Sequence, residues 1–147
     1  MKKTLFVIGA WFLSGAVCYV FAALFSQLVV LNELMQLGLD ISMSDNLFSL
    51  AHAVLNMVPY MIVILIGFAI AFGVASVVKQ RAARLSKVAY PVAGAAAMGT
   101  ALWIMNLRFG VFPILGAQET YGLILQISAG GLGGLAFERL RPKQLAS

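Results

Sequence analysis

Residues 4–31, TLFVIGAWFLSGAVCYVFAALFSQLVVL, contain no Asp, Glu, Lys or Arg. A bilayer hydrocarbon core about 30 Å thick needs roughly 20 apolar residues in helical form, and this run exceeds that length. It follows Met1, Lys2 and Lys3, which resemble the basic start of a secretory signal. The apolar core of a cleaved signal is only about 7–15 residues long, so the segment is expected to stay in the chain as a membrane helix.

Reading outward, three more stretches free of Asp, Glu, Lys and Arg follow, at 46–78, 88–107 and 120–137. The last extends to an interface through Gln118 on one side and a snorkelling Arg139 on the other. The second is longer than a span requires. Its beginning, from Ser44 and Asp45 as a helix cap, places Leu47, Leu50, Ala51, Val54 and Leu55 on one helical stripe. Asn46, Ser49, His52 and Asn56 lie on a second, polar stripe, and Pro59 follows as a kink or restart. The expected fold is all-α: an integral membrane bundle of four transmembrane helices over about 4–31, 57–78, 88–107 and 118–138. A short amphipathic interfacial helix over about 45–56 precedes the second of them, and 1–147 form a single domain.

Composition agrees. Of the 147 residues, 62% are hydrophobic and 10% charged, against about 45–50% and 25% in soluble domains. So few charges do not make a watery surface. The formal charge of +5 is distributed by topology, not gathered on one face, which argues against a nucleic-acid partner. Lys2 and Lys3, then Lys79, Arg81, Arg84 and Lys87, then Arg139, Arg141 and Lys143 fall on one side of the four spans. Arg108 falls on the other, with Glu33, Asp40, Asp45 and Glu119. The positive-inside rule then puts both termini and the 79–87 loop in the cytoplasm. The MKK start and short loops suggest a bacterial inner membrane. Tyr90 is expected near the inner boundary, and Tyr60, Trp103 and Tyr121 near the outer one, as interfacial anchors.

Small residues recur at four-residue spacing, notably Gly67 with Ala71, and Gly130 with Gly134. Lipid does not drive helices together, so close backbone approach must, and small residues permit it. The run 128–134, SAGGLGG, therefore marks a contact face, either within the bundle or towards a second copy or another membrane protein. Gln27, Thr100, Gln126 and Ser128 are the neutral polar residues at depth, and Gln126, farther from the ends than Gln27, is expected to bond between helices.

No charged residue lies in the middle of a span, which argues against proton pumps and voltage sensors. Cys18 is the sole cysteine, so neither a disulfide within the chain nor thiol-disulfide exchange within it can form. His52 is the sole histidine, short of the three or four protein ligands a zinc site takes. No metal, cofactor or catalytic set is expected. The outer face gathers a candidate polar cluster of His52, Asn106, Arg108, Gln118 and Glu119. The loop at 108–119, RFGVFPILGAQE, is apolar enough to cap the bundle or to re-enter the membrane. Three functions follow in descending order. The first is a non-catalytic assembly, anchor or accessory subunit. The second is a small oligomeric channel or transporter. The last is an enzyme acting on a lipid or quinone at the outer interface.

Overall fold

The computed structural model describes residues 2–38, 42–56, 58–81, 84, 87–110 and 117–140. Its elements are five helices: α1 (Lys2–Gln36), α2 (Met43–Asn56), α3 (Val58–Arg81), α4 (Ala89–Phe109) and α5 (Thr120–Leu140). No β-strand occurs among the described residues. Long uncharged runs fold this way because backbone N–H and C=O groups removed from water must bond within the segment.

Three helices, Thr4–Gln36, Pro59–Arg81 and Thr120–Leu140, are long and apolar enough to cross a membrane, which makes the chain a membrane protein. α4 matches α5 in length but does not join these three. Its alanines and glycines, with Tyr90, Pro91, Asn106 and Arg108, dilute its mean hydropathy. α1 is 35 residues long, about 52 Å at 1.5 Å per residue, and runs past the expected end at Leu31. Its added turn carries Gln36 and ends at Gly38, in the left-handed region at φ 76. α4 ends likewise on Gly110 at φ 72, whose N–H donates to Asn106 O. Glycine suits both ends because it lacks the Cβ that opposes this conformation. Pro59 and Pro91 sit in the first turns of α3 and α4, where the missing N–H has no helical acceptor to lose. α2 begins at Met43, one residue ahead of the expected cap. Ser44 therefore lies inside the first turn, with its hydroxyl 2.9 Å from that of Ser42.

The four longest helices pack in the cyclic order α1, α3, α4, α5, with the closest association between α4 and α5 and between α1 and α5. Buried positions recur about every fourth residue. On α1 these are Ala10, Ser14, Cys18 and Ala22, and on α3 Tyr60, Ile64, Phe68 and Phe72. Large apolar side chains such as Leu5, Phe6, Ile66, Ile70, Trp103 and Leu107 point outward instead. Inside and outside differ here in size and fit more than in polarity, as expected where the surroundings are lipid.

α3 and α5 face each other diagonally, and long side chains from α3 bridge the gap. Phe72 stacks on Phe137 with ring centroids 4.4 Å apart. Tyr90 meets both rings edge-on, at 5.7 Å from Phe72 and 5.0 Å from Phe137. Phe68 occupies the hollow at Gly133, where an added Cβ would lie 2.7 Å from Phe68 and 2.8 Å from Cys18.

The α4–α5 seam is tighter still, backbone against backbone. A Cβ on Gly94 would overlap Gly130 O, one on Gly130 would overlap Gly94 O, and one on Gly134 would overlap Tyr90 O. Gly130 and Gly134 thus lie inside the chain's own packing. Gly67 and Ala71 face α4 loosely, with the nearest atom to a Gly67 Cβ being Ala97 Cβ at 3.8 Å. Gly134→Ala is therefore expected to force α4 and α5 apart and destabilise the protein by about 1–3 kcal/mol, the range for overpacking. Gly73→Ala, where nothing lies within 4 Å, is expected to be neutral or stabilising by up to about 1 kcal/mol. Unfolding of both variants in mixed detergent micelles measures the difference, and equal stability would contradict the seam.

Candidate functional sites

The five residues expected to cluster at the outer end lie on α2, on the last turn of α4 and just ahead of α5. His52 projects from α2, exposed, with its ring 4.6 Å from that of Phe48. Asn106 is half-buried in the last turn of α4, and Arg108 beyond it is exposed. Gln118 and Glu119 are exposed just ahead of α5, and the backbone carbonyl of Glu119 accepts the N–H of Leu123 at 2.9 Å. Among the described residues no ion pair joins Arg108 to Glu119, and no side-chain hydrogen bond links any of the five to another. Both charges are solvated at the surface, where pairing brings little. No group of three His, Cys, Asp or Glu residues comes together among the described residues. Half of the loop at 108–119, residues 111–116, lies outside the described residues.

The buried polar groups form a different set, and they connect helices. Gln126 is fully buried; its Nε2 donates to Ala22 O at 2.9 Å, and its Oε1 accepts the Tyr60 hydroxyl at 3.3 Å. The Tyr60 hydroxyl also lies 3.9 Å from Met98 Sδ. Ser14 donates to Gly133 O at 2.6 Å, and Trp11 Nε1 donates to Leu65 O at 3.2 Å. These bonds tie α1 to α5, α3 to α5, and α1 to α3. In a low-dielectric interior each is a firm positional constraint, because an unpaired polar group there is costly. Ser128, by contrast, only returns its hydroxyl to Ile124 O within its own helix.

Tyr60 and Tyr90 correct the sequence reading, which made them interfacial anchors. Both are buried, at 6% and 1% exposure, because the small residues of α1 and α5 leave room at the centre that only large side chains fill. Trp103 and Tyr121 are exposed.

A charged cluster closes the opposite end of the molecule. Lys79 Nζ lies 3.1 Å from Glu138 Oε1 and 5.2 Å from the centroid of the Tyr90 ring. Glu138 Oε2 is buried without a hydrogen-bond partner. Glu138 is the lone acid on the basic side of the topology, and its ion pair explains its presence there. In the sequence Glu138 departs from the charge pattern among the acids, as Arg108 does among the bases.

Two recesses of about 650 Å³ each open on the flanks. One runs between α3 and α4 and is almost wholly apolar. The other lies between α4 and α5, lined by Ala95, Gly99, Trp103, Asn106, Leu123 and Ile127 among others.

The chain matches no protein-family model, no curated protein and no solved structure, so its function is argued from these features alone. The interhelical polar set is the most constrained of them. The double-mutant cycle of Tyr60→Phe and Gln126→Leu is expected to give a coupling of about 0.6 kcal/mol, the average for such bonds between membrane helices. Purely additive effects on unfolding would mean that the bond does not form in the membrane.

Proposed function

We propose that this chain is a non-catalytic membrane protein, an assembly, anchor or accessory subunit that binds a second copy or another membrane protein through its helix faces. The observation that carries this reading is the contrast between the two sides of α4. Its inner side is closed by backbone contact with α5. Its outer side presents Ala96 and Thr100, exposed, beside the recess of Ala95, Gly99 and Trp103. Small residues flanking a protruding Trp103, 67% exposed, make a surface that a partner helix can approach closely. α5 does not compete for this role, since Gly130 and Gly134 already meet α4 and Gly133 meets Phe68 and Cys18.

α4 packs along α3 and α5 over its length, and both of these are apolar enough to cross. This supports α4 as a fourth span, with its lower hydropathy following from the small residues that the seam with α5 requires. Four spans place both termini on one side. The basic residues at 79–87 and 139–143 put that side in the cytoplasm by the positive-inside rule, in keeping with a bacterial inner membrane. α2 fits an interfacial helix at the outer side. Ser49 meets Gln27 of α1 at 3.3 Å, while Leu47, Phe48 and Leu55 are exposed and available to the headgroup region.

The interior favours assembly over transport. Phe68, Ile64, Met98, Leu102 and Gln126 are fully buried where a solute path through one copy would run, and the described spans hold no mid-membrane charge for coupling to ions.

Purification of the tagged full chain in a mild detergent, with mass spectrometry of what stays bound, tests this. A defined complex, with itself or with a stoichiometric partner, is expected. Trp103→Ala should weaken the complex about tenfold or more, as truncation of a central aromatic anchor does, while leaving thermal stability unchanged. A monomer in detergent that also fails to cross-link in native membranes would overturn the proposal. Solute movement by the pure protein in liposomes would replace it with the transporter reading.

A further inference from the structure

The recess between α3 and α4 adjoins the α4–α5 surface assigned to assembly and shares Val92, Ala96 and Thr100 with it. Ile66, Ile70 and Val74 of α3 and Val88, Val92 and Ile104 of α4 form its walls. Its floor is made of small residues, Gly67 and Ala71 on one helix and Ala93 and Ala97 on the other. It exists because small side chains meet at the floor while branched ones stand outward on either side. From Val63 to Val78 it runs about 22 Å along α3 at 1.5 Å per residue.

Small residues along its floor leave room for an apolar chain lying against both helices. Its lining is aliphatic apart from Thr100, so the occupant's body is apolar.

One end of the groove is marked by charge. It stops at Val78 and Val88, and the chain between them carries Lys79, Arg81, Arg84 and Lys87. Lys79 is engaged by Glu138. Arg81, Arg84 and Lys87 are exposed, and no acidic side chain pairs with them among the described residues. An apolar groove ending beside three cations that no acidic side chain pairs among the described residues is complementary to an amphiphile with an anionic head. Basic pockets between membrane helices bind acidic lipid headgroups on this principle.

We propose that the α3–α4 groove is a binding site for an acidic glycerophospholipid, with one acyl chain along Gly67, Ala71 and Ala93 and the phosphate held by Arg81, Arg84 and Lys87. The site needs no protein partner, and its floor on α3 and its basic end lie outside the assembly surface.

The test uses the full chain, delipidated in a non-ionic detergent, and offers it phosphatidylglycerol or phosphatidylcholine with the same acyl chains. Native mass spectrometry counts retained lipid, and thermal unfolding reads its effect. Phosphatidylglycerol is expected to be retained at one equivalent and to raise the unfolding temperature, with phosphatidylcholine binding at least about tenfold more weakly. The triple variant Arg81→Gln, Arg84→Gln, Lys87→Gln should lose that preference. Ala71→Leu, which fills the floor, should lose retention of phosphatidylglycerol with the basic residues intact. Equal binding of the two lipids, or a preference that survives the triple variant, would overturn the site. Loss in the triple variant with full retention in Ala71→Leu would also overturn it, reducing the effect to attraction at a basic surface. Should Ala71→Leu fail to fold, the triple variant, confined to exposed residues, still decides between the outcomes.

Discussion

The contact between α4 and α5 at Gly94, Gly130 and Gly134 is the constraint on which the rest of the structure depends. Here two backbones meet with no side chain between them, since a Cβ on any of the three glycines would overlap a main-chain atom of the other helix. In lipid no hydrophobic gain rewards helix association, so packing and dispersion at such close crossings carry it. Once α4 is held this close, Tyr90 in its first turn reaches Phe72 and Phe137, and Met98 reaches Gly130. The opposite face of α5 is fixed at the same time. Gly133 then receives Phe68 and lies against Cys18, so one helix segment sets the separation of three neighbours.

The buried hydrogen bonds refine what this packing begins. Glycines permit a close approach but also allow sliding, since a smooth face has no register of its own. Gln126 against Ala22 O and Tyr60, and Ser14 against Gly133 O, each have one good position along the helix axis. Their individual stabilisation is modest. Their cost if broken in a medium without water is larger, and that asymmetry fixes the register. The same logic holds at the far end, where Lys79 satisfies Glu138 Oε1 and lies over Tyr90.

With the centre filled in this way, the surfaces left open define what the molecule can do. Among the candidates for chemistry at the outer end, His52, Arg108, Gln118 and Glu119 are exposed and no side-chain hydrogen bond joins them among the described residues. The two flanks of α4 instead offer recesses of similar volume and different character. One is aliphatic and ends beside cations that no acid pairs among the described residues. The other carries an exposed indole and a half-buried amide. A lipid and a partner helix are the occupants proposed for them.

Membrane character and helical form were legible in the sequence because both are local. Hydropathy is summed along a segment, and a segment in hydrocarbon must satisfy its own backbone. The observed helices accordingly begin and end within a few residues of the uncharged runs, with α1 extended to Gln36. Gln126 was legible as an interhelical donor because a deep amide has few alternatives. Which faces meet was not legible. A helix that is apolar all round has no polar stripe to mark its outside. The packing of Gly130 and Gly134 against α4 at Gly94 and Tyr90, the burial of Tyr60 and Tyr90 and the partner of Glu138 were all decided by three-dimensional fit. Each depends on the size and shape of side chains on another helix, which no single segment contains.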